Sequence, residues 1–392
     1  MGHRRLGGAF LRRASSQTFL QRFEAKAALH WTANRVQALT AGKDYPLAPN
    51  KPGVPALLRV LGFLDAEAQL APNALRKYKQ INALFGVVED ALAHTLRTSG
   101  RGTPLRVLEL CAGQSHLSLL IAFASRQRWE KPVHVVAVDR DKKRVALAEE
   151  RASLLGLADS VRYRHSAIED LDDWRAEYAR LFPPEDAAAA RARDSARPHA
   201  MLALHACDVA TDHALRAGIA SEAALLAVAP CCQAELAAKW ARRRSSRPAA
   251  GFSLVHRIPH LRRETAAHIT DALRVALLRA HGFGVTASEF VPAEHSPKNR
   301  LIVATRGALS AEQSDEAWGE YDALCAATGG EGILLEELLA PSRGTLHTED
   351  AVRASSSSSS GSSSSSSSSS SGARAGSRDR GVLFSSSARR KW

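Results

Sequence analysis

The sequence predicts an α/β fold: a seven-stranded, doubly wound sheet with helices on both faces, preceded by a helical N-terminal region. Three observations predict it. The stretch LRVLELCAGQSH, residues 105–116, is an apolar run ending in a Gly-containing turn; a helical pattern and a second apolar run ending in Asp139 follow it. That order of strand, turn, helix, strand and acid is a βαβ unit, which places a ligand at the carboxyl edge of its sheet. Further short apolar runs lie beyond it at 161–163, 200–204 and 225–229, with helical patterns between several of them. Finally, runs at 283–291 and 301–305 enclose the short loop Glu294–Asn299 and read as a β-hairpin.

The first turn restricts the ligand. A dinucleotide site requires GxGxxG to bring a pyrophosphate onto a helix N-terminus, whereas Cys111-Ala112-Gly113-Gln114-Ser115-His116 holds one glycine. Glu109 precedes it, and its carboxylate repels a pyrophosphate. The pair Glu109 and Asp139 suits a cationic ligand with an amine, a sulfonium and a ribose, namely S-adenosylmethionine. The bland alternative is a generic α/β turn with a core-facing acid.

Composition narrows the classes. The +13 net charge sits in the tails: residues 1–22 carry +5 and residues 353–392 carry +6, leaving +2 for the body. The charge therefore describes the termini rather than a binding surface. Five irregularly spaced cysteines argue against a disulfide framework. No apolar run reaches the ~18 residues of a membrane span, so no membrane partner is expected.

In chain order, residues 1–22 are Arg-rich and acid-free, either a disordered basic start or a transit-like segment. A cytoplasmic location is expected, with a mitochondrion or plastid as the alternative. Residues 23–72 read as a helical N-terminal region broken by the Pro-rich loop DYPLAPNKPGVP. Residues 73–97 form an amphipathic helix with Asn73 as N-cap; its Lys77, Gln80 or Asn82 either reaches a substrate cleft or belongs to packing. Helices are expected at 117–126, 142–155, 212–217 and 265–281, and a surface loop at 183–199. The nucleotide-binding domain thus spans 73–307. Residues 308–341 read as a helical extension ended by Pro341, and 342–392 as a Ser-rich disordered tail.

Four stretches carry a resemblance: KYKQIN before the first strand, LHACDVATDHAL, APCCQAEL and EHSPKNRLIVAT. Over residues 73–306 the chain resembles a family of class I S-adenosylmethionine-dependent methyltransferases. It is similar to the methyltransferase domain of the glutathione S-transferase C-terminal domain-containing protein, and more distantly to tRNA acceptor-stem ribose 2'-O-methyltransferases. The resemblance implies a Rossmann-like seven-stranded sheet with the last strand inserted antiparallel, and S-adenosyl-L-methionine as cofactor. Two departures stand out: Cys111 and Ser115 where the family often has glycine, and Gln233 where a histidine often follows the cysteine pair.

In that topology the loops after strands one, four, five and six share one rim. The cofactor-binding candidates are Glu109, Cys111, Gly113, Asp139, Arg140, Ala167, Ile168 and His205. The catalytic candidates are His205 and His295 as bases, Asp208 to orient or deprotonate, and Lys298 to stabilise a developing alkoxide. Cys231, Cys232, Asn299 and Arg262 are substrate candidates. The cysteines at the strand ends have three readings: buried small apolar residues, a metal set with His205 and Cys207, or a nucleophile. No metal is expected, because adjacent cysteines close a tetrahedron poorly and no CxxC is present. RNA, including tRNA, is the first expectation for the acceptor, supported by the basic stretch 239–263. A protein or small-molecule acceptor is the enzyme alternative, and an inactive cofactor-binding scaffold or sensor the alternative of another class. Oligomeric state is not legible.

Overall fold

The computed structural model describes residues 18–71, 74–98, 103–171, 173–183, 197–204, 206–242, 251–290 and 299–343. The transit-like start before residue 18, the Asn73 cap, most of the 183–199 loop and the Ser-rich tail lie outside the described residues. The chain divides after Leu339, and nearly all of the second unit also lies outside them.

Four helices precede the sheet: α1 (18–30), α2 (Ala33–Thr40), α3 (Val54–Val60) and α4 (Leu75–Thr98). Then follow β1 (Leu105–Leu110), α5 (His116–Gln127), β2 (Val133–Asp139), α6 (Lys142–Leu154), β3 (Val161–His165), α7 (Trp174–Leu181) and β4 (Ala200–Leu204). The second half holds α8 (Val209–Ala220), β5 (Leu225–Ala229), α9 (Glu235–Arg242), α10 (Ser253–Arg257), α11 (Pro259–Ala280), β6 (Phe283–Glu289), β7 (Arg300–Arg306), α12 (Ala311–Thr328) and α13 (Leu334–Arg343).

The seven strands pair in the order β3-β2-β1-β4-β5-β7-β6. All pairings are parallel except those of β7, which lies antiparallel between β5 and β6. This is the Rossmann-like class I methyltransferase sheet. Order reverses at β1, so the crevice between the β1 and β4 ends is the topological switch point where ligands bind.

Strand alternation divides the core in two. Leu105, Val107, Val135, Leu202 and Ala227 face one layer, which also contains the N-terminal helices, α4 and α5. Leu108, Leu110, Val136, Met201 and Val228 face the other, filled by α7, α8, α9, α11 and α12. The central strands are buried on both faces, which explains why they read as continuous apolar runs rather than alternating ones.

Several boundaries differ from the expectations. Helix α8 begins at Val209, not Asp212, so Asp212 sits inside its first turn. Helix α11 begins at Pro259, where proline has no intrahelical N–H to lose; the last five residues of the supposed basic stretch, 259–263, therefore belong to it. Helix α13 continues through Pro341 to Arg343, because a proline in the last turn forgoes only its own N–H bond. Helix α7 was not anticipated. Its signal was Asp173, whose side chain accepts from the Arg175 and Ala176 amides, followed by Trp174, Tyr178 and Leu181 on one face. Among the described residues no helix is long and apolar enough to cross a membrane.

Candidate functional site

The turn after β1 keeps the backbone of a glycine-rich loop with few glycines. Gly113 has φ +57°, and Cys111 (φ 55°) and Ser115 (φ 57°) adopt the same left-handed region. That region disfavours L side chains by about 1–3 kcal/mol each. The two departures from glycine thus change side chains and leave the chain path as it is. Ser115 is fully buried, and its Oγ donates to the Tyr163 hydroxyl at 3.1 Å. Burial, reinforced by the Asp139 charge, pushes the Cys111 thiol up to about 11, so it stays neutral at ordinary pH.

Two acids frame this turn. Asp139, at the end of β2, accepts from the Gly113 amide through Oδ2 at 2.7 Å and from the Asp141 amide through Oδ1 at 2.9 Å. One carboxylate thereby fixes both the glycine turn and the start of α6, where Asp141 caps the helix by accepting from the Lys143 and Arg144 amides. Each Asp139 oxygen retains a lone pair for a ligand hydroxyl. Glu109 is 3% exposed and accepts both the amide and the hydroxyl of Ser118 on Oε2.

Burial pushes the Glu109 carboxyl up to about 7; the Ser118 bonds oppose the shift and the Asp139 charge adds to it. An unfolded glutamate ionises near 4.5. Between these values the folded chain holds a proton the unfolded chain has lost, so stability falls as pH rises through that window, by about 3 kcal/mol. Glu109→Gln, which cannot ionise, should flatten this slope. Urea midpoints at about pH 5 and about pH 8 measure it. A buried acid held near neutrality also accommodates a cationic amine, which would stabilise its ionised form.

Both acids line one cavity of about 690 Å³ at the carboxyl edge of the sheet. Cys111, Gly113, Arg140, Ala167, Ile168 and Cys207 line it too. So of the cofactor candidates only His205 is unplaced, because it lies outside the described residues. The opposite wall is α4, which contributes Lys77, Gln80, Ile81 and Leu84. Burial and the charge of Arg151 lower the Lys77 pKa. Asn82 does not reach the cavity: it is buried, accepts from the Leu47 amide and donates to the Tyr78 carbonyl. Sequence reasoning missed Gln114, His116 and Arg144. For Arg144 the signal was its position three residues after the Asp141 cap, on the turn facing Gly113.

The remaining candidates separate. His295 and Lys298 lie outside the described residues. Asp208 is not on the cavity wall; its Oδ1 accepts from the Ala234 and Glu235 amides at 2.7 and 3.0 Å, capping α9. That gives it a positioning role where a base or orienting group was expected. Asn299 is 3% exposed at the start of β7, with its carbonyl accepting from the Phe290 amide, and is not a cavity residue. Arg262 donates to the His256 carbonyl at 2.7 Å. It sits nine residues before Asp271 on α11, about 14 Å along the helix, and does not line the cavity. Gln233 donates to both Asp271 carboxylate oxygens at 3.0 Å, so the residue after the cysteine pair is a structural tie.

At the edge of the cavity the β4 and β5 loops meet. The Asp208 amide donates to the Cys232 carbonyl at 2.8 Å. Cys207 Sγ lies 2.7 Å from Cys231 Sγ, which lies 3.8 Å from Cys232 Sγ. Burial and the neighbouring thiols push Cys231 up to about 12.

Residues 76–239 match a family model described as a methyltransferase domain. A search of the curated proteins found no match. Among solved structures, the chain is similar to human methyltransferase 10 domain containing protein (13% identity, 70% of this chain and 97% of that chain, TM-score 0.34). It is also similar to cofactor-bound Rv0187 from MTB (13%, 71% and 99%, 0.34) and to the citrinin polyketide synthase CMeT domain (14%, 75% and 69%, 0.35). These likenesses are too distant to carry an inference about this chain's substrate. Residues 76–239 are thus similar to a methyltransferase domain, with S-adenosylmethionine as the cofactor that its acid-framed cavity fits.

Proposed function

We propose that the chain transfers a methyl group from S-adenosylmethionine to an RNA acceptor. The observation that carries the methyl-transfer reading is the convergence of Glu109, Asp139 and the left-handed Cys111–Ser115 turn on one cavity. When bound, the cofactor supplies a methyl carbon already activated by its sulfonium. Asp139 accepts from the ribose hydroxyls without releasing the Gly113 amide. Glu109 faces the amine, and Lys77 on α4 offers a cation to the carboxylate. Ala167 and Ile168 flank the adenine. Transfer would require the nucleophile in line with the methyl carbon and water kept out, which the cavity walls would have to supply. Removal of the acceptor proton is assigned to His205 or His295, and stabilisation of the developing anion to Lys298.

RNA is favoured by the exposed Arg242, Arg257 and Arg263 at the α9–α11 edge, which suit phosphate contacts. The test is incubation of the full chain with methyl-labelled S-adenosylmethionine and separate RNA, protein and small-molecule pools. Nuclease-sensitive label, absent with Asp139→Ala, is the expected result. Label confined to protein or to small molecules would overturn the RNA acceptor. Cofactor binding with no label in any pool would favour the inactive scaffold.

A further inference from the structure

We propose that Cys207, Cys231 and Cys232 form a zinc site at the rim of the cavity. Three sulfurs from two separate loops lie within 4.8 Å of one another. A tetrahedral zinc with Zn–S bonds of ~2.3 Å needs sulfurs about 3.8 Å apart. The adjacent pair Cys231–Cys232 already has that separation, at 3.8 Å. The objection that neighbouring cysteines cannot share a tetrahedron therefore does not apply to this loop. Cys207 and Cys231 stand 2.7 Å apart, closer than non-bonded sulfurs rest. Opening that edge by about 1 Å falls to Cys207, whose residue is exposed.

The backbone holds the three together independently of any ion. Asp208, next to Cys207, has φ 54° and ψ −125°, a conformation costly for an L residue. It is held there on three sides: its amide donates to the Cys232 carbonyl, its carboxylate caps α9, and its carbonyl accepts from buried Arg274 at 2.9 Å. Strain maintained by this many partners juxtaposes the two loops, and the juxtaposition serves no apolar packing because Cys207 is exposed. Three thiolates leave a fourth position for water or an acceptor heteroatom, the pattern of catalytic zinc. Cys207 also lines the cavity, so the site adjoins the place assigned to the cofactor. Only that placement rests on the methyltransferase reading; metal binding does not.

The test uses the full chain, reduced and loaded with Zn(II) or Co(II), with cofactor affinity measured separately. Stoichiometric zinc and intense sulfur-to-cobalt charge-transfer absorption are expected. Cys207→Ser, Cys231→Ser and Cys232→Ser should each weaken zinc binding by at least about tenfold, and Cys325→Ser should not. On the unmutated protein, alkylation should reach the three cysteines only after chelation, which keeps the test decisive if a variant fails to fold. Absence of stoichiometric zinc in reduced protein, or a Cys207–Cys231 disulfide in protein isolated without reductant, would overturn the proposal. A zinc-loaded chain that binds no S-adenosylmethionine would leave the metal site standing and sink the methyltransferase reading alone.

Discussion

Arg274→Ala should destabilise the protein by about 3–5 kcal/mol, the cost of leaving a buried charge without its partner. Arg274 and Asp212 are both 0% exposed. Arg274 Nε and Nη2 donate to the two Asp212 oxygens at 2.8 and 2.9 Å, and Nη1 donates to Asp271 at 3.2 Å. Asp271 in turn accepts from Gln233 and lies 2.9 Å from Arg300 Nη1. The network ties α8, α11, β7 and the loop after β5. Its fourth arm holds the Asp208 carbonyl, so truncation also loosens the cysteine-bearing loops. Replacing the pair together, Arg274→Leu with Asp212→Leu, removes both charges and should cost much less than the single truncation. Urea unfolding of the two variants beside the unmutated chain measures the difference; an Arg274→Ala loss under about 1 kcal/mol would contradict the network's role.

Asp139→Ala should lower affinity for S-adenosylmethionine by at least about 100-fold. Two charge-assisted bonds to ribose hydroxyls at ~1.5–3 kcal/mol each correspond to that loss or more. The variant also frees the Gly113 and Asp141 amides, so the glycine turn and the α6 start lose their common anchor. The effect should fall on cofactor binding more than on global stability, because the residue stands at a strand end rather than within either core layer.

What the sequence made legible was local. The β1 turn, the acid at the end of β2 and the runs forming β4 and β5 are short-range patterns, and each is where its pattern places it. The β6–β7 hairpin that completes the sheet likewise followed from two apolar runs and a short loop. The sites that were not legible depend on partners far apart in sequence. Asp212 read as a helix start because nothing local reveals Arg274, sixty-two residues later. Asp208 read as a catalytic carboxylate, yet its oxygen is committed to amides twenty-six and twenty-seven residues away. The left-handed φ of Cys111 and Ser115 was hidden because side-chain identity does not report a strained backbone. The cysteine separations follow from the β4–β5 register, which spacing in sequence cannot give.

The most direct measurement is calorimetric titration of the full chain with S-adenosylmethionine, beside Asp139→Ala and Glu109→Gln. Micromolar binding to the unmutated chain, lost with Asp139→Ala and weakened with Glu109→Gln, is the predicted result. No binding to a folded unmutated chain, or equal binding by all three proteins, would contradict the assignment of the cavity.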